Sequence, residues 1–148
     1  VKFNMDIVGG GVGTLCEAYR DITQFDHTGH HVNLLFDHET DAITVASRYT
    51  HDAFTITLKQ PAPLWVRLPP WASSDQMVTS IPNAQRGGEQ LFVRDLPVGE
   101  PLTLTYDLPS RDTVLHHRSR DIHARLKGDA IDAMENFGAD LTFFPPLD

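Results

Sequence analysis

The residues that could do chemistry fall into a few groups. The first is Gly9-Gly10-Gly11-Val12-Gly13-Thr14, which follows the short apolar stretch Ile7-Val8. A strand, a glycine loop and a helix in that order would seat a pyrophosphate on a helix N-terminus. An acidic residue such as Asp37 or Glu39 would then face the ribose. The G-x-G-x-x-G fingerprint needs glycine where Thr14 stands, counting from Gly9, or where Cys16 stands, counting from Gly11. No second βαβ unit follows. A dinucleotide site is therefore the last choice, and the glycines are expected to form a flexible loop that passes close to other backbone.

Histidines form two groups, His27, His30 and His31 with Asp26, and His116, His117 and His123. Imidazoles with a carboxylate can hold zinc or nickel. Neighbours in a strand point to opposite faces, however, so neither His30 and His31 nor His116 and His117 can converge on one ion. Surface or loop histidines are expected, and no metal. Asp37, Glu39, Asp41 and Asp52 are the densest acidic group and would be the place to seek a glycosidase pair. They fall in turns, where solvated carboxylates belong. Cys16 stands on the apolar side of a helical repeat and is expected to be a small buried hydrophobe. The remaining candidates are aromatic. Trp65 alternates away from Leu64 and Val66, Trp71 follows two prolines, and Tyr49 ends a strand. Trp65, Trp71 and Tyr49 are the candidate carbohydrate-binding residues, because an outward ring can stack on a sugar. An outward ring can equally cover a helix or a neighbouring domain.

The elements that must position these residues are mostly strands. Val12, Leu15, Cys16, Tyr19 and Ile22 recur at helical spacing, which predicts one amphipathic helix over about 12–22. From His31 onward the period is two. Val32, Leu34 and Phe36 alternate with polar neighbours, as do Ile43 and Val45; Phe54, Ile56 and Leu58; Leu64, Val66 and Leu68; Leu102, Leu104 and Tyr106; and Ile122, Ala124 and Leu126. Turn signals such as Gln60-Pro61-Ala62-Pro63, Arg86-Gly87-Gly88, Pro97-Val98-Gly99 and Lys127-Gly128-Asp129 separate them. Many short strands at this spacing predict a mainly β chain, an antiparallel β-sandwich of jelly-roll type preceded by one N-terminal helix.

The chain has 148 residues, enough for one core without staples. One cysteine excludes an internal disulfide and a multi-cysteine zinc site. Twelve basic against twenty acidic residues give a net charge of −8, which disfavours nucleic acid and anionic membrane as partners. No stretch approaches the roughly 20 apolar residues of a membrane helix. No signal peptide is visible, so a cytoplasmic location is expected. The first residue is Val1, which suggests a cut point or a removed initiator.

Four stretches in order carry a family resemblance: His31-Val32-Asn33-Leu34-Leu35-Phe36, Ala42-Ile43-Thr44-Val45, Phe54-Thr55-Ile56-Thr57-Leu58-Lys59, and Leu64-Trp65-Val66-Arg67-Leu68-Pro69-Pro70-Trp71. Together they resemble the C-terminal part of the β-L-arabinofuranosidase-like glycoside hydrolases, glycoside hydrolase family 127 and its relatives. The resemblance covers nearly the whole chain. It implies an ancillary β-sandwich behind an (α/α) barrel, with residues 1–28 the remnant of that barrel and 29–148 the sandwich domain. The family's active site holds zinc through one glutamate and three cysteines, one of them the nucleophile. Its Cys-Cys pair precedes the last barrel helix, where this chain has Ile7-Val8 or Val8-Gly9. The expected function is thus structural support for a helical-barrel catalytic domain, without catalysis by the isolated chain and without a cofactor. The expected partner is that barrel or a second copy of this chain, with carbohydrate as a ligand. The alternative is a stand-alone carbohydrate-binding or oligomerisation module.

Overall fold

In the computed structural model, which describes residues 5–72, 77–117, 120–136 and 144–147, one helix precedes thirteen strands. Helix α1 runs Met5–Arg20. The strands are β1 Thr23–Asp26, β2 Gly29–Val32, β3 His38–Glu39, β4 Ile43–Ala46, β5 Phe54–Leu58, β6 Leu64–Arg67, β7 Val78–Thr79, β8 Gln85–Gly87, β9 Gln90–Val93, β10 Pro101–Thr105, β11 Ser110–His117, β12 Arg120–Lys127 and β13 Ala130–Met134. They make two five-stranded sheets, ordered β1-β2-β6-β9-β8 and β3-β4-β5-β10-β7, and a three-stranded sheet, β11-β12-β13. The mainly β sandwich read from the alternation is the observed fold. One pair in it is parallel rather than antiparallel: β2 runs alongside β6, with His30 opposite Leu64 and Val32 opposite Val66.

The core lies between the two large sheets. Val32, Leu64, Val66, Leu91 and Val93 from the first meet Ile43, Val45, Phe54, Ile56, Leu58, Leu102 and Leu104 from the second. Each strand buries alternate residues because its side chains alternate in direction. Phe54, Ile56 and Leu58 are sealed while Thr55 and Thr57 are half-buried. Leu64 and Val66 are sealed while Trp65 is half-buried and Arg67 exposed. Gly29 is required where β2 passes its neighbour: its φ is +128°, and a Cβ there would overlap the Pro63 carbonyl.

The N-terminus departs from the sequence expectation. The glycine run is not a loop. Gly9, Gly10, Gly11 and Gly13 lie inside α1, which begins at Met5. The strand–loop–helix geometry of a dinucleotide site is therefore absent there. Cys16 is exposed rather than buried, because residues 9–21 are all exposed and, among the described residues, the helix's apolar side meets little beyond the Tyr19–His38 ring contact at 5.0 Å. Phe36 is also not a strand residue pointing inward. β2 ends at Val32, and Phe36 sits exposed in the connection that follows. Among the described residues no helix is long and apolar enough to cross a membrane.

Candidate functional site

Two of the three aromatic candidates converge. After β6, Pro69 and Pro70 stop the ladder, because proline offers no N–H. The Ala72 N–H donates to the Pro69 carbonyl at 3.0 Å, closing a tight turn with Pro70 and Trp71 at its corner. Tyr49 arrives from the turn after β4. Asp37 builds that turn: its carboxylate accepts from the Ser47 N–H at 2.6 Å and from the Thr50 hydroxyl at 2.5 Å. The buried Ser47 hydroxyl donates to the Leu35 carbonyl at 2.7 Å and accepts from the Tyr49 N–H at 3.2 Å.

The third wall is the tight turn between β12 and β13. The Asp129 N–H donates to the Tyr49 phenol oxygen at 2.7 Å. The Gly128 N–H donates to the Pro109 carbonyl at 2.9 Å. Gly128 has φ +61°, and a Cβ on it would overlap the Tyr49 hydroxyl and stand 3.1 Å from both Leu108 and Trp71. Only glycine lets the turn press this closely on both rings. Desolvation raises the Tyr49 phenol above its ordinary range, and the Asp129 charge adds to that rise against the Asp129 N–H bond. Desolvation likewise raises Tyr106, whose ring lies 5.9 Å from Trp71.

Between these walls lies a cleft of about 250 Å³. Tyr49, Trp71, Phe36 and Pro70 give it apolar sides, and Arg67 and Asp129 supply charge. Among the described residues neither the Arg67 nor the Asp129 side chain makes a hydrogen bond or ion pair. The Trp71 indole N–H also finds no acceptor there.

Trp65 does not join this cleft. It leaves the sandwich core as its alternation predicts, but enters a row on the outer face of the first sheet. His31 stacks beside it at 6.4 Å, and Phe92 lies tilted against it at 4.3 Å. Of the histidines expected at the surface, His30 is instead fully buried. It stacks on Phe25 at 4.3 Å, and its Nε2 bonds the Gln60 carbonyl at 2.8 Å. His31 faces the other way, toward Asp26 and Thr28. Among the described residues no three His, Cys, Asp or Glu side chains group to hold a metal. The donors of a zinc–thiolate centre are not there, so no step through such a centre is derived.

Two members of the acidic group hold structural contacts. Glu39 pairs with Lys59 at 2.7 Å, and that hydrogen bond and charge lower its pKa. Burial pushes the Asp37 carboxyl upward, but the Thr50 hydroxyl, the Ser47 N–H and His51 outweigh it and hold the pKa below the ordinary value. Lowered pKa values suit structural anions, not a general acid, which needs a raised one.

A second surface lies beside the cleft. Leu15, Ala18, Tyr19 and Ile22 of the helical segment, with Leu34 and Phe36, line an open apolar groove. Leu15 is 71% exposed and Phe36 46%. Ile22, buried, anchors the helix end: its carbonyl accepts from the Asn33 N–H at 2.9 Å, and the Asn33 side chain donates to the Asp21 carbonyl at 3.0 Å. The sequence alone assigns Arg67 and Asp129 no chemical role: Arg67 falls within the Leu64–Trp71 stretch and Asp129 within the Lys127-Gly128-Asp129 turn signal.

No family model matches this chain, and searches of curated proteins and of solved structures found no match.

Proposed function

We propose that this chain is a non-catalytic accessory β-sandwich of a glycoside-hydrolase-like protein, working while docked through α1 onto a helical partner. The observation that carries the reading is the exposure of α1. Residues 9–21 are all exposed, yet they include Val12, Leu15 and Tyr19, each more than half exposed. Four glycines within the helix cost about 4 kcal/mol relative to alanine. Isolated helices up to about 12–15 residues are marginal in water even when alanine-rich, and α1 has 16 residues, four of them glycine. Such a helix needs a cover, and the sandwich does not supply it. The structural hydrogen bonds and ion pair that occupy Asp37 and Glu39 support the non-catalytic part of the reading.

Amide exchange and light scattering on the chain test it. Amides of residues 9–20 should exchange orders of magnitude faster than those of β5. Mass should grow with concentration as the bare face finds a second copy, and Leu15→Glu should abolish that growth without moving Tm. A monomer at every concentration, with residues 9–20 as slow to exchange as β5, would overturn the docking role. Hydrolysis of an aryl arabinofuranoside that follows the protein through purification, and dies with Glu39→Ala, would overturn the non-catalytic one.

A further inference from the structure

We propose that the cleft between Tyr49, Trp71 and Asp129 is a binding subsite for a single neutral sugar ring. The inference stands apart from the docking role of α1. Size sets the first limit. At about 250 Å³ the cleft is below the roughly 300–1,000 Å³ of pockets that enclose drug-sized ligands. It takes one ring and leaves the rest of an oligosaccharide in solvent.

Chemistry sets the second limit. A sugar ring has an apolar C–H face and an equatorial rim of hydroxyls. The Trp71 and Tyr49 rings, with Phe36 and Pro70, offer flat apolar surface. Arg67 offers only donors and Asp129 only acceptors. A hydroxyl both donates and accepts, so the hydroxyls of one sugar ring can answer both side chains. A purely apolar ligand would desolvate both charges without replacing their hydrogen bonds. A phosphate or carboxylate ligand would meet the Asp129 carboxylate in the same cleft as Arg67, on a chain of net charge −8. The neutral polyol is the ligand that uses both charges.

Rigidity is the third point. Asp37 and Ser47 fix the Tyr49 turn, the Pro69 carbonyl closes the Trp71 turn, and Gly128 lets the third wall lock onto both rings. A site set in advance loses little ordering entropy on binding.

The chain has two tryptophans, and only Trp71 lines the cleft, so fluorescence can separate them. Methyl glycosides of the common pentoses and hexoses are titrated against the full chain, with saturation-transfer NMR in parallel. At least one should give a saturable signal with a Kd on the order of 1 mM, the range of weak contacts. Trp65→Phe should keep the fluorescence response and Trp71→Phe should lose it. Arg67→Ala, at an exposed position, should weaken binding about tenfold with Tm unchanged. Silence of every glycoside by both methods would overturn the proposal. So would a response indifferent to Arg67→Ala, or one lost in Trp65→Phe, which would move binding to the outer-face row.

Discussion

Asp37 shows how a residue suspected of chemistry can serve geometry instead. It holds the turn that carries Tyr49, and its folded pKa lies below the ordinary 3.8. A depressed carboxyl contributes stability that is fully present above its unfolded pKa and is lost as pH falls through the folded value. Asp37→Asn should therefore cost about 1 kcal/mol at neutral pH, the low end for charged hydrogen bonds because the group is partly exposed. The cost should shrink toward zero once the pH drops below the folded value. Denaturant melts of both proteins at neutral and acid pH measure it, and a difference that grows in acid would contradict the assignment.

At the scale of elements, two glycines in the left-handed region make a controlled pair. Gly88 has φ +58° with open space around its missing Cβ, while Gly128 has φ +61° with Tyr49 and Trp71 against it. Gly88→Ala should cost only the backbone strain, about 1 kcal/mol. Gly128→Ala must also displace Tyr49, and its loss in thermal melts should be at least twice as large. Strand register gives another contrast. Leu104 is sealed in the core and Thr103 is not. Leu104→Ala should cost about 2–5 kcal/mol and Thr103→Ala within roughly 0.5 kcal/mol. Equal losses would mean the strand is turned over.

What the sequence made legible follows the same physics. The period-two runs of β4, β5, β6 and β10 were readable because one face of each is wholly apolar. β1, with a single buried residue at Thr23, and β11, with Val114 and Leu115 both exposed, have no such face and were not read as strands. The pair His38 and Glu39 looked like turn residues, yet pairs with Val45 and Thr44. The helix was legible in type but not in start. Glycine signals a loop by intrinsic propensity, and here the run is helical. At the candidate site the aromatic walls were visible one by one. Their convergence was not, because it depends on a turn about 80 residues away in the chain.

At the scale of the whole molecule, the helix touches the sandwich through the Tyr19–His38 ring contact at 5.0 Å and is tied to it by the Asn33 hydrogen bonds just after its end, so few contacts couple the two and their stabilities should separate. Cβ atoms at Gly10 and Gly11 would meet nothing within 4 Å. The double change Gly10→Ala and Gly11→Ala should therefore favour the helix by about 2 kcal/mol and deepen the helical band in circular dichroism. The melting midpoint of the sandwich should not move. A raised midpoint would show that α1 is part of the sandwich's cooperative unit.

The parallel pairing of β2 with β6 has a consequence for how the chain is made. His30 lies opposite Leu64, 64 − 30 = 34 residues on, and β3, β4 and β5 between them all belong to the other sheet. That sheet in turn waits for β10, which lies between β5 and β7. Contacts so distant in sequence form slowly, because the loop must close before any pairing rewards it. During synthesis, the first sheet has all its strands once residue 93 has emerged, but the second is incomplete until residue 105. Until then Phe54, Ile56 and Leu58 stand open on a strand that lacks a neighbour. The nascent chain therefore passes through a stage at which an apolar strand, β5, presents an unpaired edge, and a chain ended before β10 would remain in that state.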